Sequence, residues 1–280
     1  VSDGSRPVRR CGVLGDPVAH SLSPVLHRAG YAGQGLDWTY DAHRVPAGGL
    51  EAFLDGLGEE WRGLSLTMPL KREALTLVDR LTDRARLAGG VNTVVLDDGA
   101  RVGDNTDLPG AAAAIRERTS RPLSSAAIIG GGATAASVGL ALVDLGVTRI
   151  ELLVRDAVRA ADTVAVLRSH PAGVDVRSAA LDGPGDLAAD LVVSTVPAAA
   201  QTAELVAQCE AVPVVFEALY DPWPTPLSAA ALASGRVLVG GLDLLVHQAA
   251  LQFELFTGVA APLAVMRDAG ERALAARNPA

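Results

Sequence analysis

Lysine is almost absent from this chain. Of its 24 basic residues in 280, Lys71 is the only lysine and the other 23 are arginine. Arginine stays charged at any physiological pH, whereas a lysine amine is a compact donor that exchanges its proton readily once desolvated. A lone lysine is either a surface leftover or a group doing what arginine cannot, and its neighbours have to decide between the two. Cysteine is scarce as well: Cys11 and Cys209 lie far apart with no CxxC spacing, which excludes a disulfide framework and reads as two buried thiols in a reducing cytoplasm. The five histidines (His20, His27, His43, His170, His247) show no metal-ligand spacing, so no metal is expected. No apolar run approaches the roughly 18 residues of a membrane span, and residues 1–7 have no apolar core that would read as a secretory leader. The net charge of −8 argues against nucleic acid or anionic membrane as the main partner, while leaving room for a local cationic pocket.

In the first part of the chain, residues 9–15 read as a strand. The loop that follows contains Ser21 and Ser23, and Ser23-Pro24 has the form of a helix N-cap followed by proline at the first helical position. Two hydroxyls at a strand-to-helix turn also suit a small anion or polyol. Residues 38–43 read as a strand, 49–57 as a helix and 61–66 as a third strand. That strand runs through Thr67-Met68-Pro69 into a helix expected to last to residue 81. Lys71 then sits in a first turn, a poor place for a solvated cation and a better one for an amine that gives up its proton. A hairpin is expected at 94–102 around Asp97-Asp98-Gly99, followed by Asp107 at the start of an alanine-rich helix to residue 118, where an N-cap is its plain reading.

Residues 118–125 are polar and contain proline, and a domain boundary is placed there. From residue 126 strands and helices alternate, the grammar of a parallel, doubly wound sheet. Two apolar helices, 242–257 and 262–275, close the chain and are expected to return to the first domain. The fold class is therefore α/β. An N-terminal α/β substrate domain (1–118, completed by 242–280) is joined to a Rossmann-like dinucleotide-binding domain (119–241).

Gly130-x-Gly132-x-x-Ala135 follows a strand and opens a helix, the dinucleotide fingerprint in its G-x-G-x-x-A form. At the end of the next strand stand Arg155, Asp156 and Arg159. The arginines favour the 2′-phosphate of NADP; Asp156 would favour the free 2′-hydroxyl of NAD. NADP is preferred, with NAD open.

Together these motifs resemble the shikimate dehydrogenase family over nearly the whole chain. Gly15-Asp16-Pro17 through Ser21-Leu22-Ser23-Pro24, with His27, resembles its substrate loop, and Thr67-Met68-Pro69-Leu70-Lys71 its catalytic-lysine segment. Val91-Asn92-Thr93 and Gly103-Asp104-Asn105-Thr106-Asp107 resemble its two Asn-Thr motifs. Tyr220-Asp221-Pro222 with Thr225-Pro226-Leu227, and Gly241-Leu242 with His247-Gln248, resemble its late loop and closing helix. The resemblance implies NADPH-dependent reduction of 3-dehydroshikimate to shikimate by a cytoplasmic monomer or homodimer. It implies Lys71 and Asp107 as the catalytic pair, and Ser21, Ser23, Thr67, Asn92, Tyr220 and Gln248 as substrate contacts. Gly130, Gly131, Gly132, Ala133, Thr134, Arg155, Arg159, Ala218 and Gly241 fall on cofactor positions, and Asp83 joins them. Ser65 departs from the family pattern, where asparagine is common; Val154, Asp156 and Ala136 depart from it at the cofactor end. Three rival readings are an NAD-preferring quinate/shikimate dehydrogenase, a catalytically silent dinucleotide sensor and a folate-linked dehydrogenase. The last lacks a matching serine-rich loop.

Overall fold

The computed structural model describes residues 9–277 other than 182 and 184, with Arg159 described by its backbone alone. It divides into two compact units, one of residues 1–106 with 248–280 and one of residues 107–247. The division falls at 106/107 and 247/248 rather than at the polar 118–125 segment.

The first unit carries β1 (Arg9–Gly15), α1 (Ser23–Gly33), β2 (Trp38–Arg44), α2 (Leu50–Asp55), β3 (Trp61–Leu66), α3 (Leu70–Glu73), β4 (Arg80–Leu81), α4 (Asp83–Ala88), β5 (Thr93–Asp97) and β6 (Ala100–Asp104). Its sheet runs β2-β1-β3-β5-β6-β4. β1 is parallel to both β2 and β3, and β5 turns antiparallel between β3 and β6. The expected hairpin forms with Asp98 and Gly99 both at positive φ, the twist that suits a two-residue turn between antiparallel strands. On one face Leu14, Leu50, Leu54, Leu64, Leu66, Leu70, Val91 and Val94 form the core.

The second unit carries α5 (Asp107–Arg118), β7 (Ser125–Ile129), α6 (Ala133–Asp144), β8 (Arg149–Val154), α7 (Ala157–Arg168), β9 (Asp175–Ala180), β10 (Leu191–Ser194), α8 (Ala203–Gln208), β11 (Val214–Glu217), α9 (Pro226–Ala233) and β12 (Val237–Val239). All its strands are parallel, in the order β12-β11-β10-β7-β8-β9. The order reverses between β7 and β10, the switch point where doubly wound sheets hold ligands beyond their strand ends. α5 packs on α6 and β12, and Arg118 at its end donates to the buried Asp243 carboxylate at 2.6 and 3.1 Å. That is why α5 groups with this unit. The closing helices are α10 (Gly241–Thr257) and α11 (Leu263–Arg277). α11 packs against α1 in the first unit.

Two local expectations are corrected. The helix after Pro69 does not continue to residue 81: α3 is one turn, followed by a 3-10 turn (Ala74–Thr76) and then β4. The Lys71 carbonyl accepts from the Val91 amide at 2.8 Å, so it is taken by a neighbouring segment instead of the helix's own next turn. Ser23 does not cap α1: the helix begins at Ser23 itself, and the Ser21 hydroxyl accepts the Ser23 amide at 3.2 Å. The short β4 and α4 were not anticipated; Thr82 caps α4 by accepting the Ala85 amide at 3.3 Å.

Close packing fixes β3 under α10. A Cβ placed on Gly63 would lie 2.1 Å from the Phe256 ring, which is itself buried. Gly63→Ala is expected to lower the unfolding free energy by about 1–3 kcal/mol through overpacking. Gly56→Ala, whose Cβ meets only ordinary contacts at 3.6 and 3.7 Å, should change it by less than about 0.5 kcal/mol. Urea unfolding of both variants checks this, and equal effects would contradict the packing.

Candidate active site

Five of the six candidate substrate residues lie in the first unit, and two of them, Asn92 and Gln248, belong to one buried hydrogen-bond chain. β1 and β3 remain in register beyond their ends: Thr67 N–H donates to Leu14 at 2.9 Å, and Asp16 N–H to Met68 at 3.0 Å. A Cβ on Gly15 would stand 2.3 Å from the Thr67 side chain, so glycine there lets the serine loop lie against the Thr67 segment. Arg44 forks onto the Asp16 carboxylate at 2.8 and 3.3 Å, and Arg277 of α11 donates to the His20 carbonyl at 2.7 Å. Ser23 is buried, while Ser21, Thr67 and Lys71 are partly open.

Asn92 is the centre of this unit. Its side-chain oxygen accepts the Thr106 amide at 2.8 Å and the Thr93 hydroxyl at 2.7 Å. Its side-chain nitrogen donates to Thr106 Oγ1 at 2.9 Å and reaches Gln248 Oε1 at 3.4 Å. Gln252, one turn further along α10, donates to Thr93 Oγ1 at 2.9 Å and to the Asn92 carbonyl at 3.1 Å. The Gln252 oxygen in turn accepts the Ser65 hydroxyl at 2.7 Å, and Ser65 accepts the Tyr40 hydroxyl at 2.5 Å. Donors and acceptors run head to tail through seven buried side chains, as a buried polar network must to avoid unpaired groups. The Ser65 departure is thereby explained: a short hydroxyl fits between the Tyr40 and Gln252 partners.

Successive residues therefore hold the two stretches that carry the proposed catalytic pair. Val91 bonds the Lys71 carbonyl, and Asn92 bonds Thr106, the residue before Asp107. Sequence reasoning missed Asp104, which anchors the same turn. Its buried carboxylate accepts Thr82 at 2.6 Å, the Asn105 amide at 2.7 Å and both arms of Arg84. Burial alone would raise the Asp104 carboxyl, but the Arg84 and Thr82 hydrogen bonds and the Arg84 charge hold it below its ordinary value. It also missed Tyr40 and Gln252, since neither has a local sequence signal. Asp83 lies exposed in the first turn of α4, paired with Arg86 at 3.2 Å.

The second unit builds the cofactor loop from backbone. Gly130 has φ +113°, and a Cβ on it would stand 2.3 Å from Thr195 Oγ1 at the end of β10. A Cβ on Gly131 would press on Ala160 of α7 at 2.7 Å. On Gly132 a Cβ would meet nothing within 4 Å, which leaves an open cradle at the start of α6, followed by Ala133 and Thr134. That geometry fits a dinucleotide pyrophosphate. Thr163 of α7 donates to the Gly131 carbonyl at 2.8 Å, a clamp that no motif announces. Asp156 accepts the Val158 amide at 2.9 Å, so its carboxylate caps α7, while Arg155 beside it is exposed. Arg159 lies in α7 with its side chain outside the described residues. Tyr220 is half-buried in the loop after β11. Gly241 is needed where it stands, because a Cβ would lie 2.6 Å from the Ala218 carbonyl oxygen.

The chain is similar to known proteins over most of its length. The sequence model of the shikimate dehydrogenase substrate binding domain matches residues 13–94, and that of the shikimate 5'-dehydrogenase C-terminal domain matches residues 241–269. The shikimate dehydrogenase (NADP(+)) of Symbiobacterium thermophilum is 34% identical, over 96% of this chain and 95% of its own. The crystal structure of Mycobacterium tuberculosis shikimate dehydrogenase is similar with a TM-score of 0.86 and 40% identity, over 94% of this chain and 99% of that one. Quinate dehydrogenase from Corynebacterium glutamicum in complex with NAD is similar with a TM-score of 0.85 and 30% identity, over 95% and 99%.

His27 supplies a test of the buried chain. Its ring stacks on Tyr40 at 4.1 Å, is fully buried, and has no hydrogen-bond partner on either nitrogen. Burial drives its pKa from 6.5 down to about 3. The neutral form is favoured in the folded state, so its contribution is complete above pH 6.5 and is lost as pH falls towards 3. Between pH 7 and pH 5 this amounts to about 2 kcal/mol. His27→Phe should remove that slope in urea unfolding at the two pH values. A variant with the parent's pH dependence would contradict a neutral, buried His27.

Proposed function

The chain belongs to the shikimate dehydrogenase family, and we propose that it reduces 3-dehydroshikimate to shikimate with NADPH, with Lys71 and Asp107 as the catalytic pair. The observation that carries the pair is the Val91-Asn92 step, which holds the Lys71 carbonyl with one residue and the amide preceding Asp107 with the next. NADPH, when bound, supplies the hydride to the ring carbonyl carbon; the chain's own task is the proton. Lys71 Nζ donates it to the carbonyl oxygen in reduction and withdraws it from the hydroxyl in oxidation. The Asp107 carboxylate, at the first residue of the twelve-residue α5, holds the ammonium in the donating orientation.

Substrate is held by short polar groups. Hydroxyls of Ser21, Ser23, Thr67 and Tyr220, with the amides of Asn92 and Gln248, suit a small ring bearing a carboxylate and hydroxyls. A site built to bond those groups rejects analogues lacking them. Gly130 to Thr134, with Ala218 and Gly241, hold the dinucleotide. Asp83, exposed and paired with Arg86, is the least supported member of the cofactor set. Arg155, with Arg159, takes the 2′-phosphate; this is supported by the exposure of Arg155 and by the neighbouring Asp156, whose carboxylate has a helix-capping role beside any cofactor role. Cys11 and Cys209 are free and buried, and burial pushes their thiols up to about 12 and about 11. Such inert thiols suit a reducing compartment, and we place the enzyme in the cytoplasm.

The second reading, NAD-linked oxidation of quinate, is favoured by the similarity to the Corynebacterium enzyme. Initial rates with shikimate or quinate, each with NADP or NAD, separate the two. The expected order puts shikimate with NADP first, and a quinate–NAD maximum would overturn it. Lys71→Ala is expected to lower kcat by about 10²–10⁴-fold with NADP affinity unchanged. Lys71→Arg, which keeps the charge but not a titratable amine, should be impaired to a similar degree. Parental turnover by Lys71→Arg would make Lys71 an electrostatic positioner rather than the proton carrier.

A further inference from the structure

The second unit contains a fully buried carboxylate that the reaction does not use. Glu217 ends β11 beside Ser194 at the end of β10 and has no exposed surface. Its hydrogen-bond donors are all neutral: Leu219 N–H at 3.1 Å to one oxygen, the Thr225 hydroxyl and the Gln201 amide at 2.7 Å each to the other. Among the described residues no lysine, arginine or histidine pairs with it. Burial pushes its pKa up while the Thr225, Leu219 and Gln201 bonds hold it down. Sinking an acid in the interior without a counter-charge is unfavourable, and an apolar residue would close the same space at lower cost.

The donors show what that acid accomplishes. Leu219 begins the loop that follows β11, and Thr225 ends it, accepting the Ser228 amide at 3.2 Å to cap α9. Gln201 donates to Ser194 at 3.0 Å and accepts the Leu227 amide at 3.0 Å, so the start of α9 is fastened to the same group. One carboxylate thus pins both ends of the 218–225 loop. From the other side the first residue of α10 presses on it: a Cβ on Gly241 would lie 2.5 Å from the Leu219 carbonyl. Leu219 is held between Glu217 and Gly241, with Ala218 before it and Tyr220 after it.

We propose that Glu217 is a positioning residue, whose buried carboxylate clamps the 218–225 loop and so sets Ala218 and Tyr220 for turnover. The proposal rests on the reading above, in which Ala218 lies at the cofactor and Tyr220 at the substrate. A carboxylate offers acceptors on both oxygens, which matches donors arriving from both ends of a loop. A carboxamide of the same shape turns one side into a donor that meets donors.

The test uses the whole chain. Glu217→Gln should fold with a Tm within a few degrees of the parent and lose at least ten-fold in kcat/KM for shikimate oxidation with NADP, with KM raised. Amide hydrogen exchange across 218–225 should speed up in the same protein. Thr225→Val, which removes the bond to Glu217 together with the α9 cap, should shift both readouts in the same direction, and Thr225→Ser, which restores the hydroxyl, should return them towards the parent. Folded Glu217→Gln and Thr225→Val proteins with parental kcat and KM would overturn the proposal, as would activity lost only in proportion to the unfolded fraction. A parent chain inactive on shikimate would count against the function reading instead, and the exchange comparison then decides the clamp by itself.

Discussion

The Asn92 side chain is the constraint on which the first unit depends. A buried carboxamide has to place two donors and an oxygen acceptor against partners or lose the cost of each unpaired group. Asn92 meets that demand through Thr93, Thr106 and Gln248, while Gln252 ties its carbonyl to α10. The consequence is geometric. The end of β3, the start of β5, the 104–106 turn and one face of α10 share a single bonded cluster.

The second unit achieves order by a different route. Its loops are placed by close backbone approach at Gly130, Gly131 and Gly241, and are locked by side chains reaching back to backbone or strand ends, Thr163 at one loop and Glu217 at another. A dinucleotide is recognised largely through phosphates and ring edges, for which exposed amides and an uncrowded cradle suffice. A small polyol acid needs side-chain hydroxyls and amides held rigidly, which is what the first unit provides. The two kinds of order match the two kinds of ligand.

Much of this was legible from residues alone, and the exceptions have a common cause. The Asp97-Asp98-Gly99 hairpin, the Gly130 loop and the parallel strands 126–129, 149–154, 191–194 and 214–217 carry local signals: a turn dipeptide, a glycine spacing, short apolar runs. The length of α3 does not, because it is ended by Val91, twenty residues away, taking the Lys71 carbonyl. Tyr40, Gln252 and Glu217 were not singled out for the same reason; each acquires its role from partners distant in sequence. Ser23 shows the converse. The Ser-Pro pair is a sound start signal, yet the capping oxygen comes from Ser21, two residues earlier, because the loop turns before the serine that the local rule selects. Asp156 has a second role that its position does not announce, accepting the Val158 amide at the start of α7.

Scarcity of lysine makes the central claim unusually accessible. Selective ¹⁵N labelling of lysine side chains gives one Nζ signal from this chain, because Lys71 is the only lysine in its 280 residues. Its pH titration can be laid directly over the pH dependence of kcat/KM for shikimate oxidation, which reports the essential groups of the free enzyme. If Lys71 carries the proton, the Nζ signal moves across the same pH interval as the kinetic limb on which activity falls with falling pH. A signal that stays unchanged across that limb would contradict the account and leave Lys71 as a fixed charge.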